Sequence, residues 1–275
     1  MSVLSDFATL SHTPGPIRLA GAFIDEFDIV GDMPVDQVPL AIERDRPYFV
    51  ARPGFYRKLL PLMIGDGGAV HTGGRYLFET RADADAFGRW LTDEFVLDGT
   101  HFVQRPWVRN LTGAAFDVIG AHDFKDVHNA QTVVRVERYA LDPGHRGELV
   151  RNWDAMRDTA NASGFASLWL LHADDRNEAA IVSVIDRVAG SADSSRSAPD
   201  PASLRALADR DSVGAPIAAH PWAHKTSDRT SWVYTLWFAP THRPLHIWPN
   251  SPPFPGLDPD ATEPAQPDAA RAAAN

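Results

Sequence analysis

The chain contains no cysteine. This absence excludes disulfides, thiolate nucleophiles, iron–sulfur clusters and zinc sites that are built on cysteine. A chain of this composition needs no covalent cross-links to fold, which is typical of intracellular proteins.

Positive charge is scarce relative to negative charge. Lys and Arg number 26 against 36 Asp and Glu, which gives a net charge of −10, and no cluster of basic residues reverses this balance locally. Because an acidic protein repels phosphate backbones, the sequence predicts no nucleic-acid partner. The acidic balance favours solubility.

Long apolar runs are also absent. No stretch approaches the ~20 apolar residues that a membrane span needs. The first residues, MSVLSDFATLSHTPGP, lack the basic segment and apolar core of a secretory signal. We therefore expect a soluble, cytoplasmic protein that does not bind membranes.

The sequence has no Gly-x-Ser-x-Gly motif, no P-loop and no HExxH motif. Five glycines, at positions 65, 67, 68, 73 and 74, surround a turn between two predicted strands, and their spacing differs from the dinucleotide-binding pattern. The sequence therefore gives no reason to expect a bound nucleotide.

Apolar and aromatic residues are plentiful. The hydrophobic fraction of 44% is that of a globular protein with a true core. The 8 Trp and 14 Phe residues exceed what the core alone requires, so some could line an apolar pocket.

An internal repeat organises the chain. The order strand–helix–strand–strand–helix–strand occurs twice, and the clearest anchors are Pro53-Gly54-Phe55 and Ser163-Gly164-Phe165. Each anchor follows a predicted helix, where glycine suits a C-terminal cap. We predict a first unit over residues 17–127 and a second over residues 128–249. An N-terminal tail of residues 1–16 and a flexible tail of residues 250–275, rich in Pro and Ala, flank them.

The predicted strands are Arg18–Val30, Phe55–Ile64, Gly73–Thr80, one or two within Phe102–Ile119, Gln131–Leu141, Phe165–Ala173, Ala179–Arg187 and Thr230–Phe238. The predicted helices are Pro34–Ala51, Arg81–Phe95, Pro143–Ala162 and Pro201–Arg210, the last preceded by a surface loop at Gly190–Pro201.

The strand patterns indicate how the units are arranged. Both faces of Trp232–Phe238 are apolar, so this strand should be covered on both sides. We therefore predict an α+β fold of two tandem ferredoxin-like βαββαβ units. Their antiparallel sheets would meet to form one internal α/β barrel around a small-molecule pocket.

The stretch Arg52–Trp90 resembles a known family. RPGFYRK followed by HTGGRYLFETRADADAFGRWL is similar to the YdhR-type and antibiotic-biosynthesis-type monooxygenases of the dimeric α/β barrel superfamily. The matching residues are Pro53, Gly54, Phe55, Gly73, Gly74, Tyr76, Phe78, Glu79, Ala84 and Phe87. Typical members are single units that dimerise, so the resemblance implies that this chain fuses both halves of the barrel.

The resemblance also implies an activity. Such enzymes are monooxygenases that need no bound flavin, heme or metal. They act on electron-rich aromatic substrates, often polyketides, that lose a proton and then pass an electron to dioxygen. The protein supplies a base, a donor for the anion and a dry pocket. We expect an apolar or aromatic small molecule as partner. The chain would be a monomer with an internal pseudo-dimer, or a homodimer.

Residue placement gives the candidate site. Histidines near strand ends could take or give a proton, and Arg, amide or indole donors could hold an anion. Aromatic side chains on the strands would form pocket walls. The candidate catalytic residues are His71, His172, Arg57 and Asn110, and the candidate substrate-binding residues are Tyr76, Trp107, Trp169, Trp232 and His224.

Other functions remain open from the sequence. A heme enzyme of the same superfamily would need an axial histidine, for which His145 or His224 is conceivable. A lyase or isomerase could use the same base, and a non-catalytic binding protein would need only the pocket. His220 and His224 have helical metal-ligand spacing, but the Pro-Trp pair between them opposes a regular helix, so we predict no metal site.

Overall fold

The computed structural model describes residues 14–34, 37–64, 69–125, 133–185 and 213–238, with the backbone alone for residues 39, 40, 64, 232 and 234–238. The predicted loop Gly190–Pro201 and the predicted helix Pro201–Arg210 lie outside the described residues. The same holds for the tail of residues 250–275, for residues 1–13 of the N-terminal tail, and for the strand ends predicted at Gln131 and Arg187.

The strands in these ranges are β1 (Gly15–Pro16), β2 (Gly21–Ile29), β3 (Phe55–Ile64), β4 (Val70–Phe78), β5 (Val96–Leu97), β6 (Thr100–His101), β7 (Val108–Asp123), β8 (Val133–Leu141), β9 (Phe165–Ala173), β10 (Glu178–Ile185) and β11 (Ala223–Phe238). The helices are α1 (Val38–Glu43), α2 (Arg46–Val50), α3 (Arg81–Arg89), α4 (Arg146–Ala162) and α5 (Ala215–Ala218). A π-helical turn at Trp90–Glu94 extends α3. None of the helices in the described ranges is long and apolar enough to cross a membrane.

The main sheet closes on itself. Its antiparallel strands follow the order β1-β7-β2-β4-β3-β11-β8-β10-β9, and β7 pairs with β9 as well as with β2. All of these strands except β1 therefore form a ring. The ring has two halves of four strands each. Numbered by their order in the chain, the strands of each half lie in the order 4-1-3-2, which is β7-β2-β4-β3 in the first half and β11-β8-β10-β9 in the second. The predicted α+β fold with ferredoxin-like strand order is confirmed, while the exact domain bounds stay a prediction.

Both faces of the ring are buried. Side chains alternate across each strand, so one face points into the ring and the other toward the helices. Phe23 of β2 packs edge-on against Phe87 of α3, which marks the helix-facing side. Inward-facing side chains from both halves join one core cluster, which includes Ile24, Leu59, Leu77, Phe116, Val136, Trp169, Leu171 and Val182. This confirms the expectation that the strands are covered on both sides.

The ring interior is filled at its middle by side chains. Trp169 and Arg57 are among the largest fully buried side chains of the described part of the chain. The apolar chamber that we expected is therefore not found at the level of these two side chains. A cleft formed by described residues lies at one end of the ring, and charged groups line much of it.

The predicted helix Pro34–Ala51 is broken into α1 and α2. Pro47 stands in the first turn of α2, where it lacks an N–H and its ring would clash with the carbonyl of Glu43, the last residue of α1. Between the two helices, the buried carboxylate of Asp45 accepts two hydrogen bonds of 2.7 Å from the guanidinium of Arg105. A buried ion pair therefore fixes the break.

Two strands are longer than the sequence pattern predicts. β7 pairs first with β2 and then with β9, and β11 pairs first with β8 and then with β3. The start of β11, from Ala223 to Arg229, is polar, so it reads as a loop from the sequence alone. At the other end of the chain, Gly15 and Pro16 pair with β7 as a short edge strand, although we expected a tail there.

The repeated glycines have different roles. Gly164 follows the C-terminal cap of α4 with φ +77°, as predicted for a helix end. Gly54, with φ +66°, lies beyond the cap residue Ala51 and is not a helix cap. It instead enters β3 by a turn, where its carbonyl accepts the N–H of Glu79 at 2.8 Å and a Cβ would stand 2.4 Å from the Asp83 carboxylate.

Candidate functional site

A cleft opens at the end of the ring where β2 and β3 end and β4 begins. It encloses about 220 Å³, including space that is open to solvent. Its lining residues are Glu26, Pro61, Met63, His71, Thr72, Arg75, Arg229 and Ser231. Because much of this space is open to solvent, the cleft is a shallow surface feature that suits one end of a ligand.

His71, one of the two predicted bases, lines this cleft. It stands opposite Asp28 in the β2–β4 register, and its Nδ1 lies 2.5 Å from Oδ1 of Asp28. The other carboxylate oxygen of Asp28 accepts a 2.7 Å hydrogen bond from the amide of Asn110. This amide, together with His71, lowers the pKa of Asp28. An ionised Asp28 accepts the Nδ1–H of His71, which leaves Nε2 as the basic nitrogen.

The position of Asn110 depends on a β-bulge. The β2–β7 register shifts between Glu26 and Asp28, so β7 carries an extra residue at this point. Asn110 adopts φ +54°, a left-handed conformation that asparagine tolerates better than most residues. Bulges redirect side chains, and here the amide reaches the carboxylate of Asp28. Two of the predicted catalytic residues, His71 and Asn110, therefore meet at one acid.

Two guanidinium groups line the same cleft. Glu26 accepts 2.8 Å hydrogen bonds from Nη2 of Arg75 and from Nη1 of Arg229. Arg75 is 3% exposed, and its Nη1 donates to the carbonyl of Asp25 at 2.6 Å. Burial lowers the pKa of Arg75. The cleft thus combines a histidine base with two cations that share one bridging carboxylate.

Arg57 points into the ring but does not line this cleft. Its guanidinium donates two 3.1 Å hydrogen bonds to the carboxylate of Asp123, and both side chains are fully buried. The guanidinium carbon stands 5.5 Å from the centre of the Trp169 ring, whose Nε1 donates to Ser167 at 3.0 Å. Arg57 and Trp169 therefore belong to the filled middle of the ring.

His172, the second predicted base, lies elsewhere. It is 3% exposed near the end of β9. In the β7–β9 register its backbone stands opposite that of Asp117. Burial lowers its pKa, and its Nε2 is 3.8 Å from the carboxylate of Asp174. His172 is not among the residues that line the cleft, so the structure does not bring the two predicted bases together.

Two of the aromatic candidates, Tyr76 and Trp107, lie on the helix-facing side of the sheet. Tyr76 is buried, with its ring 4.7 Å from that of Phe87 on α3, and Gly74 leaves room for it because a Cβ there would stand 2.0 Å from the Tyr76 ring. Trp107 packs against Phe27 with ring centres 6.3 Å apart. These two residues therefore contribute to the core between sheet and helices.

The remaining histidine and tryptophan candidates are not among the described residues that line the cleft. His224 is exposed on β11 beside Ala140, and the side chain of Trp232 lies outside the described part. His145 stacks on Trp222 at 4.7 Å, and His220 stacks on the same indole at 4.8 Å. Among the side chains that the structure describes, no three His, Asp or Glu groups converge in a way that could hold a metal ion.

Sequence reasoning missed four residues of the site: Glu26, Asp28, Arg75 and Arg229. A signal for two of them was present in the strand FIDEFDI, where Glu26 and Asp28 share a face with Ile24. Since both faces of this strand were predicted to be covered, two acids on one face indicate partners of opposite charge or a hydrogen-bonded site. The arginines come from β4 and from the polar start of β11, and only the strand order brings them near Glu26.

No protein-family profile matches the chain, and no curated protein matches its sequence. By structure it is similar to a proposed monooxygenase of Fusobacterium nucleatum subsp. nucleatum, 11% identical, with a TM-score of 0.50 over 78% of this chain and 91% of that one. It is also similar to an anthrone oxidase-like protein (12%, TM-score 0.47, 80% and 93%) and to a proposed monooxygenase of Lactobacillus acidophilus (10%, 0.44, 77% and 92%). The chain shares the fold of the Fusobacterium protein, as the sequence resemblance predicted.

Proposed function

We propose that the chain is an oxygenase without a bound cofactor, which oxidises a small electron-rich aromatic substrate in the cleft beside His71. The observation that carries the proposal is the Asp28–His71 pair on the lining of a cleft that also holds Arg75 and Arg229. The fold shared with a proposed monooxygenase supports the reaction class.

The first step is removal of a proton from an acidic C–H bond of the substrate. Nε2 of His71 takes the proton, and the carboxylate of Asp28 stabilises the imidazolium that forms. Asn110 holds that carboxylate in place. Arg75 and Arg229 stabilise the negative charge of the resulting carbanion, because both guanidinium groups are already in position before the proton leaves.

The second step joins dioxygen to the carbanion. One electron passes to dioxygen, and the two radicals combine to form a carbon–oxygen bond. The peroxide anion takes a proton from the imidazolium of His71. The O–O bond then breaks as the remaining hydrogen on that carbon is lost as a proton, and water leaves. Overall, a CH₂ group and O₂ give C=O and H₂O, so the substrate loses four electrons and dioxygen gains them.

An oxygen electrode tests the proposal with dithranol and simple phenols as probes. Wild type should consume oxygen with these probes, and His71→Gln should lower kcat/KM by roughly 10²–10⁴-fold, the usual contribution of a general base. His101→Gln is the matched control, since His101 lies half-buried on β6 and outside the cleft lining. With ¹⁸O₂, the product should carry one labelled oxygen.

Each alternative function predicts a different outcome of this experiment. Turnover that persists without oxygen would identify a lyase or isomerase that uses the same base. A Soret band in the purified protein would identify a heme enzyme. Saturable ligand binding with no turnover of any probe would identify a binding protein. Equal oxygen uptake by wild type and His71→Gln would overturn the role of His71.

A further inference from the structure

Two carboxylates in the ring each hold two arginines. Glu26 accepts from Arg75 and Arg229. Glu178, whose side chain faces the same interior from β10, accepts from Arg138 at 2.7 Å and from Arg176 at 3.1 Å. Arg138 and Arg229 each act on Arg75 to lower its pKa, as like charges do at close range. Among the residues that line the cleft, two arginines face one glutamate, although the chain as a whole carries −10.

Arg229 is the cation of this set that a ligand can reach in the cleft. Its side chain is 45% exposed, whereas that of Arg75 is 3% exposed. A guanidinium has five N–H groups, and in the described part of the chain Arg229 donates only from Nη1, to Glu26. Nε and Nη2 together form the fork that binds both oxygens of a carboxylate.

Hydrogen bonds to neighbouring residues hold the fork of Arg229 in position. Glu26 fixes one end of the guanidinium, and the buried Arg75 holds Glu26 through Nη2. Arg75 is itself anchored by the carbonyl oxygens of Asp25 and Gly74. A guanidinium fixed in advance loses less rotamer entropy when it binds a ligand than a free side chain would.

We propose that the substrate of this cleft is an aromatic carboxylic acid whose carboxylate binds the free fork of Arg229. This deepens the proposed function and rests on it. Pro61 and Met63 supply an apolar wall for the ring. His71 lines the same cleft, so a ring anchored at Arg229 lies beside the base.

Isothermal titration of the full chain tests this with benzoate and 2-naphthoate against their neutral amides, benzamide and 2-naphthamide. At least one acid should bind with a Kd at least tenfold lower than that of its amide, and its affinity should fall as salt rises. Arg229→Gln should weaken binding of that acid at least tenfold. Arg176→Gln is the matched control, because Arg176 is 48% exposed and also pairs with a glutamate.

Histidine-ring NMR gives an independent readout. The acid should shift the ring signals of His71 and leave those of His101 unchanged. Equal affinities of acid and amide, equal losses in Arg229→Gln and Arg176→Gln, or no saturable binding of either acid would overturn the inference. Oxygen uptake with neutral phenols but no binding of acids would leave the proposed function standing without it. Binding of acids with no oxygen uptake by any probe would leave the inference standing and overturn the oxygenase.

Discussion

Nδ1 of His71 lies 2.5 Å from Oδ1 of Asp28, across the adjacent antiparallel strands β4 and β2. The second half of the ring has a matching strand pair, β8 and β10, where Ala140 stands opposite Glu178. That pair places a methyl group where the first half has a carboxylate. The two halves share a strand order but not this site, so the chain should bind one substrate molecule at the cleft.

The pair predicts that replacing Asp28 by Asn lowers turnover. An amide cannot stabilise the imidazolium of His71, and it can hold the ring in the wrong tautomer. We expect kcat in oxygen uptake to fall by about 10²-fold or more, with KM changed much less. Asp32→Asn, in the exposed turn after β2, should behave as wild type. A variant Asp28→Asn that keeps more than half of the wild-type kcat would exclude Asp28 from the mechanism.

The bulge at Asn110 predicts two separable effects. In Asn110→Gly the backbone at φ +54° is unstrained but the amide is lost, while Asn110→Ala loses the amide and gains strain. Both variants should raise the pKa of Asp28, because the Asn110 hydrogen bond is the largest factor that lowers it. Carbon-13 NMR titration of the carboxyl groups measures this rise.

The stabilities of these two variants should differ. Asn110→Ala should be less stable than Asn110→Gly by about 1 kcal/mol, because a side chain with Cβ resists the left-handed region. Urea unfolding measures the difference. If the two variants unfold at the same urea concentration, the left-handed backbone contributes nothing to the position of the amide.

The ion pair of Arg57 and Asp123 predicts a non-additive effect on stability. Removing one partner leaves the other charge buried, so Asp123→Asn should cost roughly 3–5 kcal/mol. The double change Arg57→Met with Asp123→Leu removes both charges and should recover much of that loss. A double-mutant cycle by urea unfolding gives the coupling. Additive losses would show that the two side chains do not act as a pair.

The sequence predicted the strand order of the fold but not the face on which each residue lies. The alternation within β2 and β4 is visible in the sequence, and both faces are apolar. Apolar faces on both sides give no sign of which one meets the helices. Tyr76 was therefore expected at a pocket wall, although it packs under α3.

Contacts between distant strands explain the other differences. The sequence predicts that the charge of Arg57 could point inward, but its partner Asp123 is 66 positions away on β7. The sequence also predicts a donor at Asn110, yet its contact with Asp28 depends on the bulge in β7. The residue types were readable from the sequence, whereas their partners depend on the register between strands that are far apart in the chain.

Asp25 is a buried acid on the helix-facing side of β2, and its burial makes stability depend on pH. Asp25 is 2% exposed and its Oδ1 has no hydrogen-bond partner in the described part of the chain. Burial raises its pKa to about 6, although Lys58 and Arg75 oppose this rise. A carboxyl with a raised pKa in the folded state binds more protons there than in the unfolded chain. It therefore stabilises the fold below its unfolded pKa, and this stability is lost as pH rises through about 6.

Asp25→Asn should remove this dependence. Relative to the variant, wild type should lose up to about 3 kcal/mol of unfolding free energy between pH 4 and pH 6, from two pKa units at 1.36 kcal/mol each. Urea unfolding at several pH values in this range measures the difference, and subtraction cancels the groups that titrate alike in both proteins. Asp32→Asn serves as the exposed control, whose difference from wild type should not vary in this way. A constant difference between wild type and Asp25→Asn would mean that Asp25 titrates near its ordinary pKa and that the buried site is hydrated.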